Sequence, residues 1–167
     1  MFIYNNTKIY FRDTDKMQCP IDKENISLTF LCSLFLKSQN SFYKHYLEKE
    51  EINIQQIPIL LKLLNHDYIY QKEIASDLHM DGGLVTRNIR KLEDLGYVNR
   101  QEDNENRRQN KISLTDKGRT FTKKLRDEGI KRENEILNYC STSREEFIEI
   151  FLEIIESSNG YNKEMGY

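Results

Sequence analysis

Two short helical patterns joined by a tight turn, and followed at once by a charged hairpin pattern, fill residues 71–118. In the first pattern, Ile74, Ala75 and Leu78 form one apolar stripe at helical spacing. Asp81 follows the turn, and its carboxylate can accept hydrogen bonds from the free N–H groups that begin the next helix. Because the apolar faces of two such helices must cover each other, the succession restricts this part of the chain to helix-turn-helix folds.

The second helical pattern begins after Asp81 and ends at Gly96, which takes the left-handed conformation at no Cβ cost. Its apolar positions are Leu84, Val85, Ile89, Leu92 and Leu95. Small and basic side chains are left on the outer face of its first half, as in a helix that enters a DNA major groove. We therefore predict DNA contacts from Gly83, Thr86, Arg87, Asn88, Arg90 and Lys91. Ordinary solvated arginines are the alternative interpretation.

The hairpin pattern has a tip, residues 101–110, that contains no apolar residue. Such a tip has little to pack against a core and is free to reach a partner. Asp103 can attract Arg107 and Arg108 across the loop and hold its shape. An arginine there can enter a narrow, electronegative minor groove. The alternative is that these arginines only keep the loop soluble.

These motifs together resemble the winged helix of the MarR (multiple antibiotic resistance regulator) family. The wing of that family carries an Arg-Arg pair spaced from an acid and ends in a Ser-Leu-Thr-x-x-Gly run, matched here by Asp103, Arg107, Arg108, Ser113, Leu114, Thr115 and Gly118. The family's Leu-Thr-x-x-Gln-x-x-x-Leu helix opening is matched in register by Ile52, Asn53, Gln56, Ile59, Leu60 and Leu63. With the helical patterns on either side, the resemblance extends over residues 21–157.

The resemblance implies a mainly α fold with a small β-wing. A winged helix-turn-helix DNA-binding core, residues 52–118, would lie between dimerisation helices at residues 21–48 and 115–157. Residues 1–20 would be an N-terminal arm of unknown structure, and residues 158–167 a flexible tail.

The resemblance also implies a transcriptional regulator, more often a repressor, that binds pseudo-palindromic double-stranded DNA as a homodimer. Helix 82–95 would read the major groove and wing 101–110 the minor groove. In this family an anionic aromatic or phenolic ligand often lodges between the dimerisation helices and the winged helix. We therefore expect no cofactor, but an effector of that chemical class.

The helical patterns outside the winged helix carry apolar stripes that the winged helix alone cannot cover. Ser143 and Glu146 predict a capping box at the start of the last helix, and Asn53 and Gln56 predict another before the second. The predicted dimer contacts are Leu28, Phe147, Ile150, Phe151 and Ile154. Two-fold pairing would bury them and present two recognition helices one helical turn apart on DNA. Folding back of the last helix on the first within one chain fits the pattern nearly as well.

The overall charge needs an explanation in a nucleic-acid binder. The 167 residues carry a net charge of -2 with a pI near 6.0. Residues 84–111 contain seven Lys or Arg against five Asp or Glu, whereas residues 120–167 contain seven against ten. Counterion release depends on the cations that lie at phosphates and not on the sum over the chain. A local basic face is therefore compatible with the acidic balance.

Other functional classes find less support in the sequence. The odd number of cysteines, Cys19, Cys32 and Cys140, and the lack of a long apolar run indicate a reducing cytoplasm and no membrane span. Neither the cysteines nor the histidines have metal-ligand spacing, and no catalytic motif occurs, so we predict no metal site and no enzyme. Two alternatives are a redox-sensing regulator that uses a cysteine and a winged helix for protein contacts without DNA. For Cys32, a buried apolar role is the simpler expectation.

Overall fold

The computed structural model describes residues 2–4, 7–9, 25–104, 106 and 109–166. In chain order its elements are β1 (Phe2–Tyr4), β2 (Thr7–Ile9), α1 (Leu28–Leu47), α2 (Ile57–Leu63), β3 (Ile69–Tyr70), α3 (Gln71–Asp77), α4 (Gly82–Asp94), β4 (Val98–Glu102), β5 (Asn110–Leu114), α5 (Asp116–Leu137) and α6 (Arg144–Met165). Two 3-10 turns, Glu48–Glu50 and Ile54–Gln56, separate α1 from α2. The chain forms two compact units, Ile21–Asp127 and Met1–Pro20 with Glu128–Tyr167.

Helix α1 begins later than the sequence predicts. Ser27 is its N-cap, and the Ser27 hydroxyl accepts a hydrogen bond from the amide of Phe30 at 3.2 Å. The helix predicted over residues 21–48 therefore starts at Leu28, and residues 21–24 lie outside the described residues. A serine hydroxyl competes for nearby backbone groups, which favours the cap position over the helix interior.

The predicted capping box before the second helix is present, but it closes a 3-10 turn. The amide of Asn53 donates to Oε1 of Gln56 at 2.9 Å, and α2 begins only after Gln56. Pro58 therefore lies in the first turn of α2, where a missing N–H group costs nothing.

The sheet of the larger unit takes the order β3-β5-β4, with all neighbours antiparallel. Its inward side chains join those of α2, α3 and α4 in one core cluster. The apolar side chains with no exposed surface are Ile59, Leu60, Leu63, Ile74, Val85, Ile89, Leu92, Tyr97 and Ile112. This shared core fixes the positions of α3, α4 and the β4–β5 hairpin relative to one another.

Helix α5 starts at a close contact with the end of α4. Gly96 has a φ of 75°, the left-handed stop that the sequence predicts. The hydroxyl of Thr115 donates to the carbonyl of Gly96 at 2.7 Å and accepts from the amide of Gly118 at 3.0 Å. A Cβ atom on Gly118 would lie only 1.9 Å from the carbonyl oxygen of Tyr97. The glycine of the Thr-x-x-Gly run is therefore needed for α5 to approach the backbone of Tyr97 this closely.

We expect Gly118→Ala to lower the free energy of unfolding by about 3 kcal/mol, because the backbone of Tyr97 must move to admit the methyl group. Gly160→Ala is the control, since its Cβ would meet nothing within 4 Å and alanine favours the helix by roughly 0.5–1 kcal/mol. Urea denaturation of both variants should give changes of opposite sign. Equal stabilities of Gly118→Ala and the wild type would contradict the close-approach argument.

In the smaller unit, β1 pairs with β2 in antiparallel register, so the described part of the N-terminal segment contains a strand pair.

Helix α6 begins with the predicted capping box: Ser143 accepts from the amide of Glu146 at 3.1 Å, and Glu146 accepts from the amide of Ser143 at 2.9 Å. The hydrogen bond from the amide of Ser143 and a second from the hydroxyl of Thr142 lower the pKa of the Glu146 carboxyl. Nε of Arg144 lies 2.8 Å from Oε2 of Glu133 and ties α6 to α5.

Helix α6 also extends further than expected. Residues 158–165, predicted as part of a flexible tail, are helical, and Gly166 ends the helix with a φ of 78°. One interior glycine, Gly160, costs about 1 kcal/mol and is too little to stop a helix that has no proline ahead. None of the helices that the structure describes is long and apolar enough to cross a membrane.

Candidate nucleic-acid interface

The turn between α3 and α4 sets the direction of the second helix. His79 has a φ of 49°, and the amide of Met80 donates back to the carbonyl of Ala75 at 2.9 Å. Oδ1 of Asp81 then accepts from the amide of Leu84 at 2.8 Å, which is the predicted N-cap. These bonds begin α4 sharply at Gly82.

The first turn of α4 carries no side chain at its first two positions. Gly82 and Gly83 are both exposed. A Cβ atom on Gly83 would lie 3.1 Å from Oδ1 of Asp81, so a side chain there would crowd the cap. The absence of side chains leaves the free N–H groups of the helix start open to an anion such as a phosphate.

Three basic side chains follow on the outer face of α4. Arg87, Arg90 and Lys91 are exposed, as their predicted role requires. In the part of the chain that the structure describes, none of them forms an ion pair or a hydrogen bond through its side chain. Their charges are therefore available to a partner.

Thr86, predicted as a DNA contact, is half-buried and is engaged within the chain. Its hydroxyl donates to the carbonyl of Gly82 at 2.8 Å and accepts from Nε2 of Gln71 at 2.8 Å. Gln71 is the first residue of α3, so the pair of hydrogen bonds ties α3 to α4. The side chain of Thr86 keeps one acceptor position but has no free proton to donate.

Asn88 corrects the sequence prediction. Its side chain is only 5% exposed and cannot reach a DNA base in this arrangement. Its position between the buried Val85 and Leu92 places it on the inner face of α4. Its backbone carbonyl accepts a hydrogen bond from Nε2 of the buried Gln56 at 3.5 Å. The polar type of the residue suggested exposure, whereas its helical register required burial.

Asp103 organises the base of the wing, at the end of β4. The residue is 5% exposed, and its amide donates to the carbonyl of Gln109 at 3.0 Å. Oδ2 of Asp103 accepts from the hydroxyl of Tyr70 at 2.5 Å and lies 3.4 Å from Nζ of Lys111. The predicted pairing with Arg107 and Arg108 falls outside the described residues.

Tyr70 and Lys111 are site residues that sequence reasoning missed. They face each other in the register of β3 and β5. Nζ of Lys111 lies 4.9 Å from the ring centroid of Tyr68 and 5.8 Å from that of Tyr70. The hydrogen bond to Asp103 raises the pKa of the Tyr70 phenol, because only the protonated phenol can donate to the carboxylate. Only the strand register, which a single sequence does not give, brings these groups together.

A cavity of about 320 Å³ opens in the larger unit, between the C-terminal end of α1 and α5. Two aromatic rings and two ammonium groups face it, together with one carboxylate. The lining residues are Tyr46, Lys49, Glu50, Phe121, Lys124 and Leu125. The Glu50 carboxylate accepts a short hydrogen bond from the hydroxyl of Tyr97, and burial together with this bond raises the pKa of the Tyr97 phenol.

Two of the three cysteines lie within the described residues. Cys32 is half-buried on α1 and not fully buried as expected, because the apolar residues beside it are themselves uncovered. Cys140 is exposed after α5, and Cys19 lies outside the described residues. Among the described residues, no group of three or more His, Cys, Asp or Glu could hold a metal ion.

The sequence model of the MarR family matches residues 52–109. The HTH-type transcriptional regulator TtmR of Methylorubrum extorquens is 35% identical over 98 residues, which are 57% of this chain and 50% of TtmR. The organic hydroperoxide resistance transcriptional regulator of Bacillus subtilis is 31% identical over 100 residues, which are 58% of this chain and 68% of that protein. The chain thus spans about half the length of TtmR and about two thirds of the Bacillus protein. The chain belongs to the MarR family, as its motifs predicted.

Solved structures share the fold over most of the chain. The crystal structure of MarR aligns with a TM-score of 0.76 at 25% identity and covers 87% of this chain and 99% of that one. The Staphylococcus aureus MepR–DNA complex aligns with a TM-score of 0.68 at 21% identity and covers 82% and 99%. The prediction of a mainly α fold with a small β-wing is confirmed. The relatives are named as transcriptional regulators, in agreement with the expectation that the chain is not an enzyme.

Proposed function

We propose that this protein regulates transcription by binding double-stranded DNA as a homodimer, most simply as a repressor that occupies a pseudo-palindromic operator. The observation that carries the proposal is the outer face of α4. A bare glycine start is followed there by three exposed basic side chains that have no partner within the described residues. MepR, which shares the fold, has been crystallised with DNA.

The chemistry of this face suits a DNA major groove. The free N–H groups at Gly82 and Gly83 can hold a backbone phosphate and so fix the position of the helix. An arginine one turn further along can form two hydrogen bonds to the edge of a guanine. Arg87 and Arg90 are the candidates for base reading, and Lys91 for a phosphate contact. The predicted minor-groove contact would come from Arg107 or Arg108 in the wing.

We expect Arg87→Ala to lower discrimination between the selected operator and single-base variants by about 1 to 3 kcal/mol. The control is Arg126→Ala, which removes the same charge from a guanidinium that already pairs with Asp127 at 2.8 Å. Binding titrations over a range of salt concentrations, on duplexes recovered from random sequence, measure both variants. If Arg87→Ala and Arg90→Ala both bind and discriminate like the wild type, the assignment of this face to DNA is wrong.

The proposed homodimer rests on the uncovered apolar side chains of α1 and α6. Leu28 is 62% exposed and Ile150 is 55% exposed, values that are unusual for such side chains when they cluster on one helix. The other predicted contacts on α6, Phe147, Phe151 and Ile154, are also exposed. A second copy of the chain would cover these stripes and place two α4 helices on one face of the DNA.

We expect Ile150→Glu to raise the dissociation constant of the dimer by roughly 100-fold, because an unpaired charge would enter the interface. The side chain is already exposed in the single chain, so the folded protomer should persist. Glu153→Gln lies on the acidic side of α6 and serves as the control. Sedimentation equilibrium should show dissociation of the first variant only. A wild-type dissociation constant for Ile150→Glu would remove α6 from the interface.

The proposed effector is an anionic aromatic or phenolic ligand, and the cavity between α1 and α5 is its candidate site. The rings of Tyr46 and Phe121 can pack on an aromatic molecule, while Lys49 and Lys124 can pair with its anion. The hydrogen bond from Tyr97 occupies part of the Glu50 carboxylate, which would otherwise repel that anion. The same cavity therefore combines apolar surface with a few placed charges, as small-molecule sites do.

We expect Lys124→Ala to weaken the binding of salicylate, used as a probe of this class, by about tenfold because a charge-assisted hydrogen bond is lost. Lys123→Ala is a suitable control, since this neighbouring lysine is exposed and does not line the cavity. Titration calorimetry measures both affinities. Identical salicylate affinities for Lys124→Ala and the wild type would exclude the cavity as the site for this anion.

A further inference from the structure

We propose that Tyr70 is a positioning residue that fixes the wing relative to the recognition helix α4. The contact of Tyr70 with Asp103 and the contact of its neighbour Gln71 with Thr86 carry the inference. Its consequence for DNA affinity rests on the proposed DNA binding. The mechanical link itself is a property of the free protein.

Tyr70 belongs to three parts of the structure at once. It is the last residue of β3, opposite Lys111 of β5, and it is the N-cap of α3. Its amide donates to Oε2 of Glu73 at 3.3 Å, which anchors the backbone at the helix start. The side chain is therefore attached to a backbone segment that the sheet and α3 hold from both sides.

The wing end of the link is the buried carboxylate of Asp103. Its hydrogen bond from the Tyr70 hydroxyl is 2.5 Å long, and the ammonium of Lys111 lies 3.4 Å from the same oxygen. Backbone bonds then close the loop beyond it: Asp103 donates to Gln109 at 3.0 Å, and Gln109 donates to Asn106 at 2.8 Å. An acid that is only 5% exposed needs such donors, because burying an unpaired charge is costly.

The other end of the link is α4. Gln71 follows Tyr70 directly, and its Nε2 donates to the hydroxyl of Thr86 at 2.8 Å. That hydroxyl is in turn bonded to the carbonyl of Gly82, at the start of the recognition helix. Tyr70 thus contacts the base of the wing and Gln71 contacts α4, so two consecutive residues hold both elements that are proposed to contact DNA.

A fixed distance between α4 and the wing matters because the two contact different grooves of one duplex. A wing that pivoted on the β4–β5 ladder alone would lose conformational freedom on binding, and that loss would weaken the complex. The Tyr70 hydroxyl orders the wing base before DNA arrives. Its contribution to binding is therefore preorganisation, with no contact between Tyr70 and DNA required.

The test uses Tyr70→Phe, which removes the hydroxyl and keeps the ring. In the full-length free protein, the amides of Asp103 and Gln109 should exchange with solvent at least about tenfold faster than in the wild type. The amide of Val85, which bonds to Asp81 at the start of α4, should keep its wild-type rate and so excludes general unfolding. On the duplex that the wild type selects from random sequence, Tyr70→Phe should bind about tenfold more weakly.

Tyr139→Phe is the control, because it removes the same hydroxyl from a side chain that is exposed and makes no hydrogen bond with the described residues. It should leave exchange and DNA affinity unchanged. Wild-type exchange at Asp103 and Gln109 in Tyr70→Phe would overturn the link. Faster exchange with undiminished DNA affinity would overturn its positioning role. A wild-type protein that binds no duplex would refute the proposed function instead, and the exchange rates would still test the link.

Discussion

Hydrogen bonds to the backbone carbonyls at the end of α4 fix the point at which α5 begins. The carbonyls of Leu95, Gly96 and Tyr97 accept hydrogen bonds from the side chains of Lys117 and Thr115 and from the amide of Thr115. The ammonium of Lys117 also lies 4.1 Å from the centroid of the Tyr97 ring. These groups satisfy carbonyls that the helix end would leave without partners, and they set the angle at which α5 leaves the sheet.

That junction makes the sheet a fixed base for the outer face of α4. Since β4 follows Tyr97 and β5 precedes Thr115, the same bonds also pin both ends of the wing hairpin. The exposed basic groups of α4 are consequently carried by a helix whose inner face is held in the core. A chain with an overall acidic balance can present a basic face in this way, because the fold and not the composition decides where the charges lie.

Local rules predicted the parts of this structure that depend on neighbours in sequence. The cap at Asp81, the stop at Gly96 and the capping box at Ser143 each involve residues within three or four positions, and each is present. The winged-helix motifs predicted the family for the same reason, since they record local turns and close contacts. Exposure of Arg87 and Arg90 follows from helical spacing alone.

Two of the predicted site residues, Asn88 and Asp103, have surroundings that the sequence analysis did not predict. Asn88 was assigned by its polarity, but its register beside Val85 and Leu92 buries its side chain on the inner face of α4. The partners of Asp103 come from β3 and β5, and pairing between distant strands is invisible in one sequence. The capping box at Asn53 and Gln56 precedes α2 by a 3-10 turn, because a 3-10 turn and an α-helical turn share the same capping signal.

The bare start of α4 has a further consequence for a chain that binds DNA as proposed. Backbone N–H groups at Gly82 and Gly83 attract any phosphate equally, so they would favour sliding along the duplex during the search, while the arginines beyond them decide where it stops.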